Sequence, residues 1–214
     1  MYTKHQWITE HYFNFKYTQY LPKDFDPKKK YPLVFFLHGA GERGDDLDLA
    51  CFHGPMKYVR EDNKEYPFII IAPQCPKEKY WACYTESLIA FMDYICETLP
   101  VDEDRVCLTG LSMGGTGTWM LAMADPKRFS CIAPICGSGI YWNAASVKDL
   151  PIMIYHGDND EAVPITESIA MMKAVNKLGG HAEIKICYGK GHNVWEIAYQ
   201  DPALYDWMMN QKRK

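Results

Sequence analysis

The chain has 214 residues, 48% of them hydrophobic and 23% charged, with a formal net charge of −4. That length suits one domain spanning residues 1–214 with a sizeable core, and the composition is that of a soluble globular protein. The acidic balance speaks against a nucleic-acid footprint, and no apolar run approaches the roughly 18 residues of a membrane span.

The first residues, Met1 to Trp7, lack the apolar core of a signal peptide. The expected location is therefore the cytoplasm, although a chain trimmed of its signal would read the same. Residues 12–20 alternate enough to predict an edge strand with one solvated face. Leu33 to Leu37 is a continuous apolar run, as expected of a strand buried on both faces. It stops at His38-Gly39-Ala40-Gly41-Glu42-Arg43-Gly44, a loop whose backbone can offer an N–H to a ligand. Glu42 and Arg43 are expected to pair and fix that loop. Short helices are expected near Leu47–Ala50 and Met56–Glu61.

Phe68–Ala72 reads as a second buried strand. Trp81 follows in a loop, then a helix over about Thr85–Thr98 with Leu88, Phe91, Met92 and Ile95 on one face. Val106–Thr109 is a third buried strand. It runs into Gly110-Leu111-Ser112-Met113-Gly114, which is Gly-x-Ser-x-Gly, and an almost wholly small or apolar helix to Ala124. Strand, sharp turn and helix are the context in which this pentapeptide is a nucleophile elbow. The serine sits at a strained backbone position, and its neighbours at −2 and +2 must lack side chains for helix and strand to pass closely. Three further strands are predicted at Ser130–Cys136, Ile152–His156 and Ala182–Cys187. Amphipathic helices are predicted over about Ile165–Leu178 and from about Pro202. Strands alternating with helices predict a mostly parallel central sheet with helices on both faces.

The eight cysteines include no Cys-x-x-Cys pair, and the seven histidines show no metal-ligand spacing. No metal or cofactor is expected. Cys107, Cys131, Cys136 and Cys187 lie in or at the end of apolar strand-like runs as small core groups, whereas Cys51, Cys75 and Cys83 fall in loops and stay open to pairing.

In open α/β sheets, chemistry gathers at the carboxyl ends of strands. Here such ends carry Ser112, then Asp160, then His192, in the order nucleophile, acid, base. Asp158 and Glu161 share the loop of Asp160; spacing from the strand end favours Asp160, with Asp158 second. The amides of Ala40 and Met113 are the candidate oxyanion donors. His38 and His156 are expected to hold loops by hydrogen bonds.

Three stretches, Gly110 to Gly115, His156-Gly157-Asp158-Asn159-Asp160-Glu161-Ala162-Val163-Pro164 and Gly191-His192, resemble the α/β-hydrolase superfamily. His38 to Gly44, Ala72-Pro73-Gln74-Cys75-Pro76 and Trp81 narrow the resemblance. They point to the phospholipase/carboxylesterase and dienelactone-hydrolase-like branch, particularly esterases related to feruloyl esterases and polyhydroxybutyrate depolymerases. The likeness spans about residues 33–196. It implies an α/β-hydrolase fold, a Ser112–His192–Asp160 triad and a serine carboxylesterase acting on short-chain or aromatic-acid esters, small or saccharide-linked. Dienelactone hydrolases proper use a cysteine nucleophile; this chain has Ser112. Ser138 to Leu150 is too short for a large lid. Trp81, Tyr141, Trp142 and Trp195 are the candidates to line a substrate pocket. The rival readings are a prolyl-oligopeptidase-like peptidase and a non-catalytic binding protein of the same fold.

Overall fold

The computed structural model describes residues 2–213, and its centre is an eight-stranded sheet. The strands are β1 (Tyr2–Gln6), β2 (Lys16–Tyr20), β3 (Tyr31–Leu37), β4 (Ile69–Pro73), β5 (Val101–Leu111), β6 (Cys131–Ile135), β7 (Pro151–Gly157) and β8 (His181–Cys187). Their spatial order is β1-β2-β4-β3-β5-β6-β7-β8; β1 and β2 pair antiparallel, and all pairings from β4 to β8 are parallel. The order reverses at β3, so a crevice opens between the chain segments leaving β3 and β5.

The apolar runs are continuous because both faces of the sheet are covered. Leu33, Phe35 and Leu37 point into one core, and Val34 and Phe36 into the other. Ile69 and Ile71 alternate in the same way with Ile70 and Ala72. The first core is closed by α2 (Thr85–Thr98), α3 (Met113–Ala124) and α4 (Ile165–Lys177), through Phe91, Trp119 and Met171. The second is closed by α1 (Pro55–Glu61), α5 (Trp195–Gln200) and α6 (Pro202–Met209), through Met56, Tyr199 and Met208. This is the expected α/β-hydrolase architecture. Between β6 and β7 lies only a 3₁₀ turn, Tyr141–Val147, and no large lid.

The amino-terminal segment corrects the sequence reading. The strand expected over residues 12–20 forms only at Lys16–Tyr20, and it is not an edge: β1 covers it. Tyr17 to Tyr20 are all buried, because α2 covers Tyr17 while Tyr20 bonds with Tyr66 on the other face. The edge is β1, which exposes Thr3 to Gln6 and so carries no buried periodicity to read. The short helix α5 begins at Trp195. Among the described residues no helix is long and apolar enough to cross a membrane. All eight cysteines are free thiols, including Cys51, Cys75 and Cys83.

The sheet holds α3 at backbone contact distance. A Cβ built on Gly114 would lie 1.9 Å from the Leu37 carbonyl oxygen, and one on Gly110 would lie 2.4 Å from the Gly114 oxygen. Gly→Ala inside a helix ordinarily stabilises by up to about 1 kcal/mol; here overpacking against rigid backbone dominates. Gly114→Ala is expected to cost at least about 3 kcal/mol and lower Tm by about 6–12 °C. A thermal melt with Tm unchanged from wild type would refute the close approach.

Candidate active site

Ser112 joins β5 to α3 with φ 54° and ψ −117°, a left-handed conformation that costs a non-glycine residue about 1–3 kcal/mol. The strain lifts its side chain off the sheet at the amino end of α3. There the first-turn amides, Met113 among them, have no acceptor within the helix. Its hydroxyl lies 2.7 Å from His192 Nε2, and His192 Nδ1 lies 2.7 Å from Asp160 Oδ2. A carboxylate only accepts, so Nδ1 carries the proton. Nε2 then offers its lone pair to the Ser112 O–H, which donates to it.

Asp160 is buried, and its Oδ1 accepts the amides of Ala162 and Val163, each at 2.9 Å. Burial alone would raise its pKa. The bonds from His192 and the two amides outweigh that and hold the carboxyl below its ordinary value. Asp158 and Glu161, the other acids of this loop, are exposed. The loops of Asp160 and His192 meet backbone to backbone, for a Cβ on Gly157 would lie 2.3 Å from the Gly191 oxygen. His156 braces the acid loop. Its Nε2–H donates to the Val163 carbonyl at 2.8 Å, 3.2 Å from Asp160 Oδ2, while Nδ1 meets Ser168 Oγ at 2.7 Å.

The loop after β3 is fastened to the segment after β4. His38 Nδ1–H donates to the Gly39 carbonyl at 2.7 Å, and Nε2 accepts the Cys75 amide at 3.0 Å. Trp81 Nε1–H donates to the His38 carbonyl at 2.9 Å, and the Gly44 amide to the Cys75 carbonyl at 2.9 Å. Arg43 does not pair with Glu42. Its Nε–H donates to the Ala40 carbonyl at 2.9 Å, and its guanidinium lies 5.0 Å over the Tyr80 ring. Gly39 packs on the elbow strand, where a Cβ would come within 2.8 Å of Leu111 Cδ1. The Ala40 loop and the Met113 helix start are thereby neighbours.

Of the four aromatic residues picked from sequence, Trp195 contacts the site: its ring meets that of His192 edge-on at 5.4 Å. Tyr141 and Trp142 are exposed on the 3₁₀ turn that follows β6. Trp81 is a correction. It is 1% exposed, packed against Gly117 and His38, and is a support of the loop rather than a pocket wall. Cys136 was read as a strand residue, but it follows β6 at φ 40°, and its sulfur, an Asp160 oxygen and a His192 nitrogen lie within 4.8 Å of one another. Burial pushes that thiol up, and Asp160 and His192 already bond to each other, so the trio fits a packed floor better than a metal-ligand set. A cavity of about 590 Å³, lined by Phe129, Leu150 and Lys212, lies at the amino ends of β6 and β7, opposite Ser112, Asp160 and His192.

This open, mostly parallel sheet, with a serine at a strand–turn–helix elbow and an acid and a histidine at later strand ends, defines an α/β-hydrolase fold. The chain belongs to the phospholipase/carboxylesterase family, whose model matches residues 48–203. It is 28% identical over 160 residues to the probable feruloyl esterase C of Aspergillus niger, covering 73% of this chain and 58% of that protein. It is 23% identical over 235 residues to dipeptidyl-peptidase 5 of Porphyromonas gingivalis, covering 86% of this chain and 33% of that protein. The chain thus spans less than two thirds of the length of these relatives. Among solved structures, a thermostable esterase superposes with a TM-score of 0.86 at 29% identity, over 99% of this chain and 63% of the other. A ferulic acid esterase of Anaeromyces mucronatus shares the fold, with a TM-score of 0.72 at 17% identity over 99% and 90% of the two chains.

His38 gives the site a pH signature. Burial, only partly offset by the bond to Gly39, pushes its pKa down to about 4. An unfolded histidine takes up its proton near pH 6.5, so the unfolded chain binds more protons between pH 6.5 and 4. Stability is therefore full above about pH 6.5, and His38 alone removes about 3 kcal/mol of it as pH falls to about 4. The slope of Tm against pH across this window should be shallower in His38→Gln; an equal slope would show that His38 titrates normally.

Proposed function

We propose that the protein is a serine carboxylesterase that hydrolyses esters of short-chain or aromatic acids through an acyl-enzyme. The observation that carries this reading is the chain of two 2.7 Å hydrogen bonds from Ser112 through His192 to Asp160, with the tautomer a general base needs. Ser112 Oγ attacks the ester carbonyl as His192 Nε2 takes its proton. Asp160, held ionised by two amides, supports the imidazolium. The Ala40 and Met113 amides receive the oxyanion. His192 returns the proton to the leaving alcohol, then activates the water that releases the acid.

The similarity to feruloyl esterases supports the aromatic-acid option, and Trp195 supplies one aromatic ring beside His192. Without a large lid, acyl chains beyond about four carbons gain little further burial, at about 0.8 kcal/mol per buried CH₂. The free thiols support a reducing compartment such as the cytoplasm. The match to a dipeptidyl-peptidase over 86% of the chain keeps amide cleavage as the second reading.

p-Nitrophenyl esters of increasing acyl length, methyl ferulate and a dipeptidyl p-nitroanilide separate these readings. The wild type should favour acyl chains of about two to four carbons and leave the anilide intact. Ser112→Ala should abolish turnover, and Asp160→Asn should lower kcat by about 10⁴-fold by offering His192 a donor where it needs an acceptor. Cleavage of the anilide without the esters would overturn the esterase reading.

A further inference from the structure

Glu42 stands on the loop that holds Ala40, buried, with its Oε2 lacking any hydrogen-bond partner. That oxygen lies against Gly39, where a Cβ would come within 2.8 Å of it. A buried carboxylate there is costly in two ways. It is poorly solvated, and its charge repels the oxyanion that the same loop must stabilise. The neighbouring cation, Arg43, is turned away onto the Ala40 and Lys79 carbonyls.

His53 faces the carboxylate instead. Its Nε2 lies 3.9 Å from Glu42 Oε1, and its Nδ1–H donates to Glu196 Oε1 at 3.1 Å. Glu196 is itself fixed by Lys57, at 2.9 and 3.0 Å, and by the Tyr58 hydroxyl at 3.0 Å. His53 also packs on Trp195 at 5.3 Å, the same ring that meets His192. With Nδ1–H committed to Glu196, Nε2 is the ring nitrogen turned toward Glu42.

We propose that His53 is a positioning residue that compensates the buried Glu42 carboxylate and ties the Ala40 loop to the helix carrying Trp195, so that the oxyanion site stays free of an opposing charge. This rests on the esterase reading. His53 touches neither the substrate carbonyl nor the triad atoms; it acts through Glu42 and Trp195.

The experiment measures kcat and KM on p-nitrophenyl butyrate for wild type, His53→Ala, Glu42→Gln and the double variant, with Tm for each. Removing the histidine should lower kcat about tenfold and leave KM within about twofold, because the loss falls on the oxyanion-bearing transition state. Adding Glu42→Gln to His53→Ala should restore most of that loss, since the amide carries no charge to compensate. A double variant no faster than His53→Ala, or His53→Ala with wild-type kcat, overturns the proposal. If His53→Ala fails to fold, His53→Gln takes its place. It keeps a donor for Glu196 without a charge, and the same loss and the same recovery are expected. A wild type that neither cleaves the ester nor labels at Ser112 with a fluorophosphonate overturns the esterase reading and this proposal together.

Discussion

The contact on which the site depends is the passage of α3 over the ends of β3 and β5 at a distance that no side chain could occupy. Gly114 lies against the Leu37 carbonyl and Gly110 against Gly114 itself, and Ser112 is held between them at positive φ. One packing event therefore does three things. It aims the serine hydroxyl outward, presents the first-turn amides of α3 beside it, and seats the loop after β3 against the elbow. The strain of about 1–3 kcal/mol at Ser112 is spread over buried neighbours on both faces of the sheet. That is why α3 is built almost wholly of small and apolar residues.

The remaining members of the site are set relative to the elbow by contacts of the same backbone kind. Gly157 lets the turn after β7 touch the turn after β8, so two loops from neighbouring strands deliver Asp160 and His192 to a 2.7 Å bond. His156 and His38 look like spare bases in such a place, yet both are consumed by the scaffold. Each donates to a backbone carbonyl through one nitrogen and binds a neighbour through the other. The bond to the Ser112 hydroxyl is left to one imidazole, the partly exposed one.

Much of this was legible in the sequence because it obeys short-range rules. Runs such as Leu33–Leu37 and Phe68–Ala72 announce strands buried on both faces, and Gly-x-Ser-x-Gly between strand and helix announces a turn with one geometry. The spacing from the strand end favoured Asp160 over Asp158, and Asp160 is the carboxylate that bonds His192. What failed to show was decided by long-range partners. β1 exposes nearly every side chain and is a strand only because β2 pairs with it. Trp81 reads as a loop aromatic until the loop after β3 closes over it. Cys136 fits a strand interior equally well, and only the fold sets it beneath Asp160 and His192. Nothing local marks His53, whose partner Glu196 comes from the far end of the chain.

Charge placement follows from the same enclosure. Two carboxylates are buried around the elbow, and the fold treats them differently. Asp160 faces two amides and an imidazole, so its charge is fully satisfied, and it lies on the far side of His192 from the serine. There a negative charge favours a cation forming on the ring. Glu42 lies on the loop that carries Ala40, has one oxygen without a partner, and faces a histidine at 3.9 Å. An anion on that loop opposes what an ester-cleaving site must build. The carboxylate that aids the proposed chemistry is bonded tightly to the scaffold, while the one that would oppose it faces His53. Under the proposed chemistry that asymmetry ties the loop after β3 to the helix that flanks His192. The two halves of the crevice then share one electrostatic balance.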